Sequence, residues 1–220
     1  GSCRILGLSL PYPPDKLKRI IGKALELNYS SDACVRLAVW KAEKGVDISV
    51  SVKKYTPYPA KKYRDGFSAC VSRFRQNEDS MLARHKSTNY LLCRLSYMEA
   101  HAKGFDEALI LNNKGYIAEA SRSNLFLIKD NILFTPALSC GCLDGITRRL
   151  VLDLAKKYNI AIQEGNFTLQ DLFNSDAAFL TNSLIGIMPL GKLNNQRITS
   201  PGNKITEFFR QKYLKLLYAD

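Results

Sequence analysis

Lys53 to Arg64 reads KKYTPYPAKKYR, and no other stretch limits the possible folds so strongly. Its two prolines fix φ and remove backbone donors, lysine pairs flank them, and no apolar residue recurs at a helical or strand period. Such a stretch divides the chain. The expected parts are a small α/β unit at residues 1–57, a linker at 58–65 and a large unit at 66–220. In the small part, Ser2 to Leu10 reads as the tail of a helix, with Gly7 at its C-terminal cap. Leu17, Ile20, Ile21, Ala24 and Leu25 then recur at helical spacing, started by Pro13-Pro14 and ended by Asn28. Strands are expected at Ala33 to Trp40 and Val46 to Val52, around Lys44-Gly45. In the large part, Phe67 to Phe74 alternates like a strand, and a long helix is expected from Lys86 or Ser87 to Lys103. Short strands follow at Glu107–Leu111, Tyr116–Ala120, Asn124–Ile128 and Ile132–Thr135. A helix runs from Gly145 to Tyr158, then strands at Ile160–Glu164, Ala177–Thr181 and Gly186–Leu190, and a last helix at Ile205 to Leu217. Strands mixed with interspersed helices indicate an α+β fold.

Composition narrows the function class. Of 220 residues, 46% are apolar and 24% charged, which excludes a disordered, collagenous or coiled-coil chain. The net charge of +12 implies attraction to an anion: a nucleic acid, a membrane surface, or a small phosphate or carboxylate ligand. The cations are dispersed and no aromatic-basic platform or DNA-binding motif appears, so nucleic acid is not expected as a partner. No apolar run reaches the length of a membrane-spanning helix, so no membrane is expected either. The start, Gly1-Ser2-Cys3-Arg4, carries no apolar signal region. Six cysteines, at 3, 34, 70, 93, 140 and 142, lack a CxxC pair and read as reduced thiols of a cytoplasmic protein. With His85 and His101 as the two histidines, no metal site is expected.

Two segments carry chemistry. Glu119-Ala-Ser-Arg-Ser-Asn124-Leu-Phe126 places an acid at the end of a strand. Leu143-Asp-Gly145-Ile146-Thr147-Arg148 places a glycine turn and a threonine at a helix start, where free N–H groups and the positive dipole end suit a phosphate. The run from Glu119 to Arg148 resembles the signature of the class IV (fold-type IV) pyridoxal-phosphate enzymes. Glu119, Ser121, Asn124, Leu125, Phe126, Leu133, Thr135, Leu143, Gly145, Ile146 and Arg148 fill its positions. Upstream, His85-Lys86-Ser-Thr-Asn89-Tyr90 resembles the family's Schiff-base lysine motif. Downstream, Thr181-Asn182-Ser183-Leu-Ile-Gly186-Ile-Met-Pro189 resembles its second phosphate-side loop.

The resemblance implies a two-domain fold-type IV enzyme with an incomplete small domain, pyridoxal 5'-phosphate as cofactor, a small anionic substrate and a homodimer. It implies that Lys86 forms the internal aldimine, its amine kept nucleophilic by burial. It implies that Glu119 holds a proton on the pyridine nitrogen, so that the ring accepts carbanion electrons. Ile146 and Thr147, after the Gly145 turn, would bind the phosphate, and Asn182 with Ser183 would complete that cup. Tyr90 matches a tyrosine that hydrogen-bonds the cofactor's phenolic oxygen, or else packs on its helix. Leu143 would pack on the ring, while Ser123 and Asn124 are structural. Arg36 is a carboxylate binder or a surface residue of a strand edge. The family's phosphate-binding arginine precedes the equivalent of Cys3, so the chain is expected to lack the front of the small domain. Among family members, His85-Lys86 before Ser-Thr-Asn, and the Thr181 to Pro189 loop, look most like 4-amino-4-deoxychorismate lyases, which eliminate pyruvate to give 4-aminobenzoate for folate. The alternative is a branched-chain or D-amino-acid aminotransferase.

Overall fold

The computed structural model describes residues 2–28, 32–198 and 202–217. It divides into two compact units, Gly1–Pro57 and Tyr58–Asp220. In the first, α1 (Ser2–Ile5) and α2 (Pro14–Leu27) precede an antiparallel pair, β1 (Ala33–Lys41) and β2 (Val46–Lys54). Pro14 starts α2 at a position whose N–H has no helical partner to lose. The helix packs against β2 and buries Leu17.

The second unit begins with α3 (Ala60–Asp65), β3 (Phe67–Gln76), a 3-10 turn at Met81–Arg84, and α4 (Leu91–Ala102). Strands β4 (Glu107–Asn112), β5 (Ile117–Ala120), β6 (Asn124–Lys129) and β7 (Ile132–Pro136) lead to α5 (Ile146–Lys157). Then follow β8 (Ile162–Gly165), α6 (Leu169–Phe173), β9 (Ala177–Asn182), β10 (Gly186–Leu193), the short β11 (Gln196–Arg197) and α7 (Lys204–Leu217). One sheet runs in the order β5-β4-β3-β10-β9-β6-β7-β8, with β11 beside β10. β3 pairs in parallel with β4 and β10, as β7 does with β8, and the remaining pairs are antiparallel. This is the α+β architecture expected.

The sheet is buried on both faces because alternate residues of one strand serve different cores. Leu125 and Leu127 of β6, Leu180 of β9 and Met188 of β10 join one cluster with Phe67 and Leu109. Phe126 and Ile128, Phe179 and Ile187 join the other, with Val151 of α5 and Phe209 of α7. Phe126 and Phe179 stack at 5.0 Å between ring centroids. Each such phenyl contributes about 2–3 kcal/mol by leaving water. Where β10 meets the end of α3, the backbones are too close for side chains. A Cβ on Gly66, whose φ is +80°, would stand 2.6 Å from Gly191 N.

β5 ends the strand order while β6 lies five places along it, yet three residues, Ser121 to Ser123, join them. The sheet therefore curls back on itself, and Glu119 lies at that seam.

Three local expectations are corrected. Part of the expected linker, 58–65, is helix α3, held to the large unit by Lys62 Nζ on Asp106 Oδ1 at 2.5 Å and by Tyr63 Oη donating to Ile185 O at 3.1 Å. Lys62 thus serves a fixed contact. The helix expected from Lys86 or Ser87 begins only at Leu91, because Asn89 N donates to Ser87 Oγ at 3.2 Å and Tyr90 has φ −119°. Side-chain bonds of this kind compete with helix formation. Helix α6 was not expected, although Thr168 and Asp171 form a capping box at its start. Among the described residues no helix is long and apolar enough to cross a membrane.

Candidate functional site

Glu119 is one residue from the end of β5, opposite Ile110 of β4. Its side chain is buried, and its Oε2 accepts from Leu143 N at 3.1 Å and Asn124 Nδ2 at 3.5 Å. Both bonds go to Oε2, which leaves Oε1 for a donor from outside the protein. Burial pushes the carboxyl up to about 8; the Leu143 N–H and the Lys86 charge oppose this, and the Glu107 charge adds to it. A buried carboxylate so short of a counter-charge is one that a cation or a charged N–H donor would stabilise in its ionised form.

Asn124 also donates to Leu143 O at 2.7 Å, so it ties β6 to the loop before α5. Gly145 follows and caps α5 with no side-chain bond to the first turn. A Cβ there would overlap Asn124 Oδ1, so glycine is required by contact with the residue that orients Glu119. The first N–H groups of a helix have no partner within it. Ile146 is 79% exposed here and Thr147 is buried, so the turn offers backbone donors at the surface and a hydroxyl beneath it. Arg148 is buried next, its Nη2 donating to Pro136 O at 3.0 Å and pairing with Glu164 at 2.5 Å, which fixes the start of α5 on the sheet.

The loop after β9 joins from the other side. Asn182 Nδ2 donates to Arg122 O at 3.0 Å and to Ser123 Oγ at 3.1 Å, while its Oδ1 accepts from the N–H groups of Leu184 and Ile185. Asn182 thus builds the loop and binds it to the Glu119 seam, and Ser183 is exposed on the turn it forms. Lys86 is near enough for its charge to act on both Glu119 and Cys93. Its expected burial is not found: Lys86 is exposed, because it stands in an extended stretch ahead of α4.

Tyr90 sits at the N-cap of α4 and is 46% exposed. Arg36 is exposed on β1 of the other unit, opposite Ser51. Neither is joined to Glu119 by a described hydrogen bond. Sequence reasoning missed Glu107, 1% exposed beside this seam. Its neighbour Asp106 carries the lysine contact and reads like a surface pair with it; the signal available was a lone acid at the head of the apolar run Ala108–Leu111.

These residues fit pyridoxal phosphate. Glu119 Oε1 is open to a ring N–H, the uncapped start of α5 suits a phosphate, and an exposed lysine stands within electrostatic reach. The family model for class IV amino-transferases matches residues 1–193. A Rickettsia bellii protein named "Probable branched-chain-amino-acid aminotransferase" is 29% identical, over 98% of this chain and 78% of its own length. The aminodeoxychorismate lyase of Vibrio harveyi is 33% identical, over 64% of this chain and 50% of its own. The branched-chain aminotransferase of the archaeon Thermoproteus uzoniensis, solved with norvaline, superposes with a TM-score of 0.86 at 27% identity, covering 98% of this chain and 75% of that one. Another branched-chain amino acid aminotransferase, solved with pyridoxamine 5'-phosphate, superposes with a TM-score of 0.87 at 25% identity, covering 97% of this chain and 74% of that one. The chain belongs to the class IV aminotransferase family, the fold-type IV enzymes that depend on pyridoxal phosphate.

Proposed function

We propose that the protein is an aminotransferase that moves the amino group of a small amino acid, of the branched-chain type, to a 2-oxo acid. The observation that carries the chemistry is Glu119: a buried carboxyl with one oxygen held by Leu143 and Asn124 and the other free to receive a ring N–H. When bound, pyridoxal phosphate supplies an electron sink for the carbanion formed at the substrate carbon. Glu119 holds the proton at the ring nitrogen. Ile146 and Thr147 receive the phosphate at the uncapped start of α5, and Asn182 and Ser183 close over it from the loop after β9. Leu143 packs beside the ring that Glu119 anchors. Lys86 would hold the cofactor's aldehyde carbon until the substrate amine displaces it, and its free amine would then move the proton from the substrate carbon, across the joining nitrogen, to that aldehyde carbon. Tyr90 serves the cofactor oxygen, and two copies pair as a homodimer.

The same residues would serve a 4-amino-4-deoxychorismate lyase, the reading that the local wording of the sequence favours. The relatives favour the transferase: the aminotransferase of Rickettsia bellii aligns over 98% of the chain, the lyase of Vibrio harveyi over 64%. The test begins with pyridoxal phosphate added to the protein. A visible absorption band, and borohydride fixation on Lys86, are expected. The loaded enzyme is then given leucine, isoleucine or valine with 2-oxoglutarate, and separately aminodeoxychorismate. Glutamate formation supports the transferase. Release of 4-aminobenzoate without glutamate would replace it with the lyase, and no fixation at Lys86 ends both readings.

A further inference from the structure

Glu107 opens β4 at the seam beside Glu119, and the proposed chemistry gives it no part. Its Oε1 accepts a hydrogen bond from Ser121 Oγ and another from Ala108 N at 3.1 Å. Its Oε2 accepts from Ser123 Oγ at 3.3 Å and lies 3.7 Å from Arg122 Nε. A carboxyl at 1% exposure needs such compensation. Here it comes from every residue of the turn that joins the Glu119 strand to β6. Asn182 grips the same turn from outside, through Arg122 O and Ser123 Oγ.

We propose that Glu107 is a positioning residue for Glu119: its buried carboxyl clamps the turn 121–123 and, through Ser123 and Asn182, locks the end of β5 to the loop after β9. The proposal rests on the reading of Glu119 as the group that receives the ring nitrogen. An apolar residue of similar volume would fill the same space at less cost, since a buried ionisable side chain adds little stability of its own. A role in the site accounts for its presence. Its charge has a second effect, adding to burial in holding the Glu119 carboxyl up. The other titratable groups facing the pair are Lys86 ahead of α4, Cys93 on α4, Arg122 in the turn and Cys142 before α5. Burial pushes Glu107 up, opposed first by the Ser121 hydrogen bond and then by the Arg122 charge, while Lys86 opposes the rise of Glu119. Burial pushes the Cys93 and Cys142 thiols to about 11 and about 12, so both stay neutral across the range of the test.

Pyridoxal phosphate is titrated by absorbance into the intact protein over a series of pH values, so that Kd and its pH midpoint are read without turnover. Unaltered protein, Glu119→Gln, Glu107→Gln, Glu107→Asp and the pair Ser121→Ala with Ser123→Ala are compared. If Glu119→Gln leaves Kd unchanged, the reading of Glu119 falls, and the proposal with it. Where Glu119→Gln weakens binding, Glu107→Gln is expected to weaken it about tenfold. It also moves the midpoint to lower pH, because loss of a neighbouring negative charge lets Glu119 ionise earlier. Glu107→Asp restores the midpoint. The serine pair weakens binding, since it loosens the turn. Glu107→Gln with unchanged Kd and midpoint, in a site that does need Glu119, overturns the proposal alone. Should that variant not fold, the serine pair decides, and unchanged binding there overturns it.

Discussion

The two units bury their apolar residues in different ways. Among the described residues of Gly1–Pro57, Leu17 is the one buried hydrophobic side chain, while Trp40 is 45% exposed and Leu27 69%. In Tyr58–Asp220, strands β6, β9 and β10 send alternate side chains into two separate cores. A helix on a two-stranded sheet has a single face to bury, and few neighbours on it. A curled sheet covered on both sides surrounds its central strands. The contrast teaches where rigidity resides: the residues proposed for chemistry are built on the unit with the doubly buried sheet. Precise sites need such support.

The largest expected effect tests whether chemistry follows that division. Lys86→Ala should lower turnover by about 10³-fold or more and abolish borohydride fixation, with circular dichroism unchanged. An active Lys86→Ala enzyme would detach the chemistry from this unit's lysine. Next, Phe179→Ala removes one ring of the stacked pair with Phe126 and should cost about 4 kcal/mol in denaturant unfolding. A cost below about 1 kcal/mol would mean that the large unit is far looser than its burial indicates.

A pH experiment sharpens the price of placing an acid at the seam. The folded Glu119 carboxyl stands at about 8 against an ordinary 4.5. Between those values the folded chain holds a proton that the unfolded chain has lost. Its contribution is therefore fully present below about pH 4.5 and is lost as pH rises through about 8. Without cofactor, stability should fall across this window by on the order of a few kcal/mol, and Glu119→Gln should flatten the fall. An identical slope in the variant would show that other groups cause it.

The smallest effect is in the small unit. Trp40 is the single tryptophan, so its fluorescence reports on that unit, whereas far-ultraviolet circular dichroism reports on the whole chain. Leu17→Ala should cost about 2 kcal/mol and move the fluorescence transition to lower denaturant, with little change in the main dichroism transition. Equal movement of both would show the units unfolding as one.

Much of this was legible in the sequence because it is local. Proline spacing marked the break before residue 58, and strand periods marked the sheet strands to within a few residues. The Glu119 and Gly145 motifs are short enough to be seen whole, although the contacts between them are made across the fold. The segment around Lys86 was misread because Ser87 and Asn89 make local bonds that divert the backbone from a helix that the apolar spacing allows. Helix α3 was misread because its lysines looked solvated until Asp106, from a distant strand, met Lys62.

Sequence by itself determined the two-part plan, the α+β class and the family signature, since each follows from residue period, proline and glycine chemistry, or a contiguous motif. Tertiary structure alone decided that Lys86 is exposed, that Asn182 grips the Ser121–Ser123 turn, and that Glu107 lies buried beside Glu119. The physical reason is the curl of the sheet. It brings the start of β4, the turn after β5 and the end of β9 to one seam, and no local period encodes a contact between residues 107, 123 and 182.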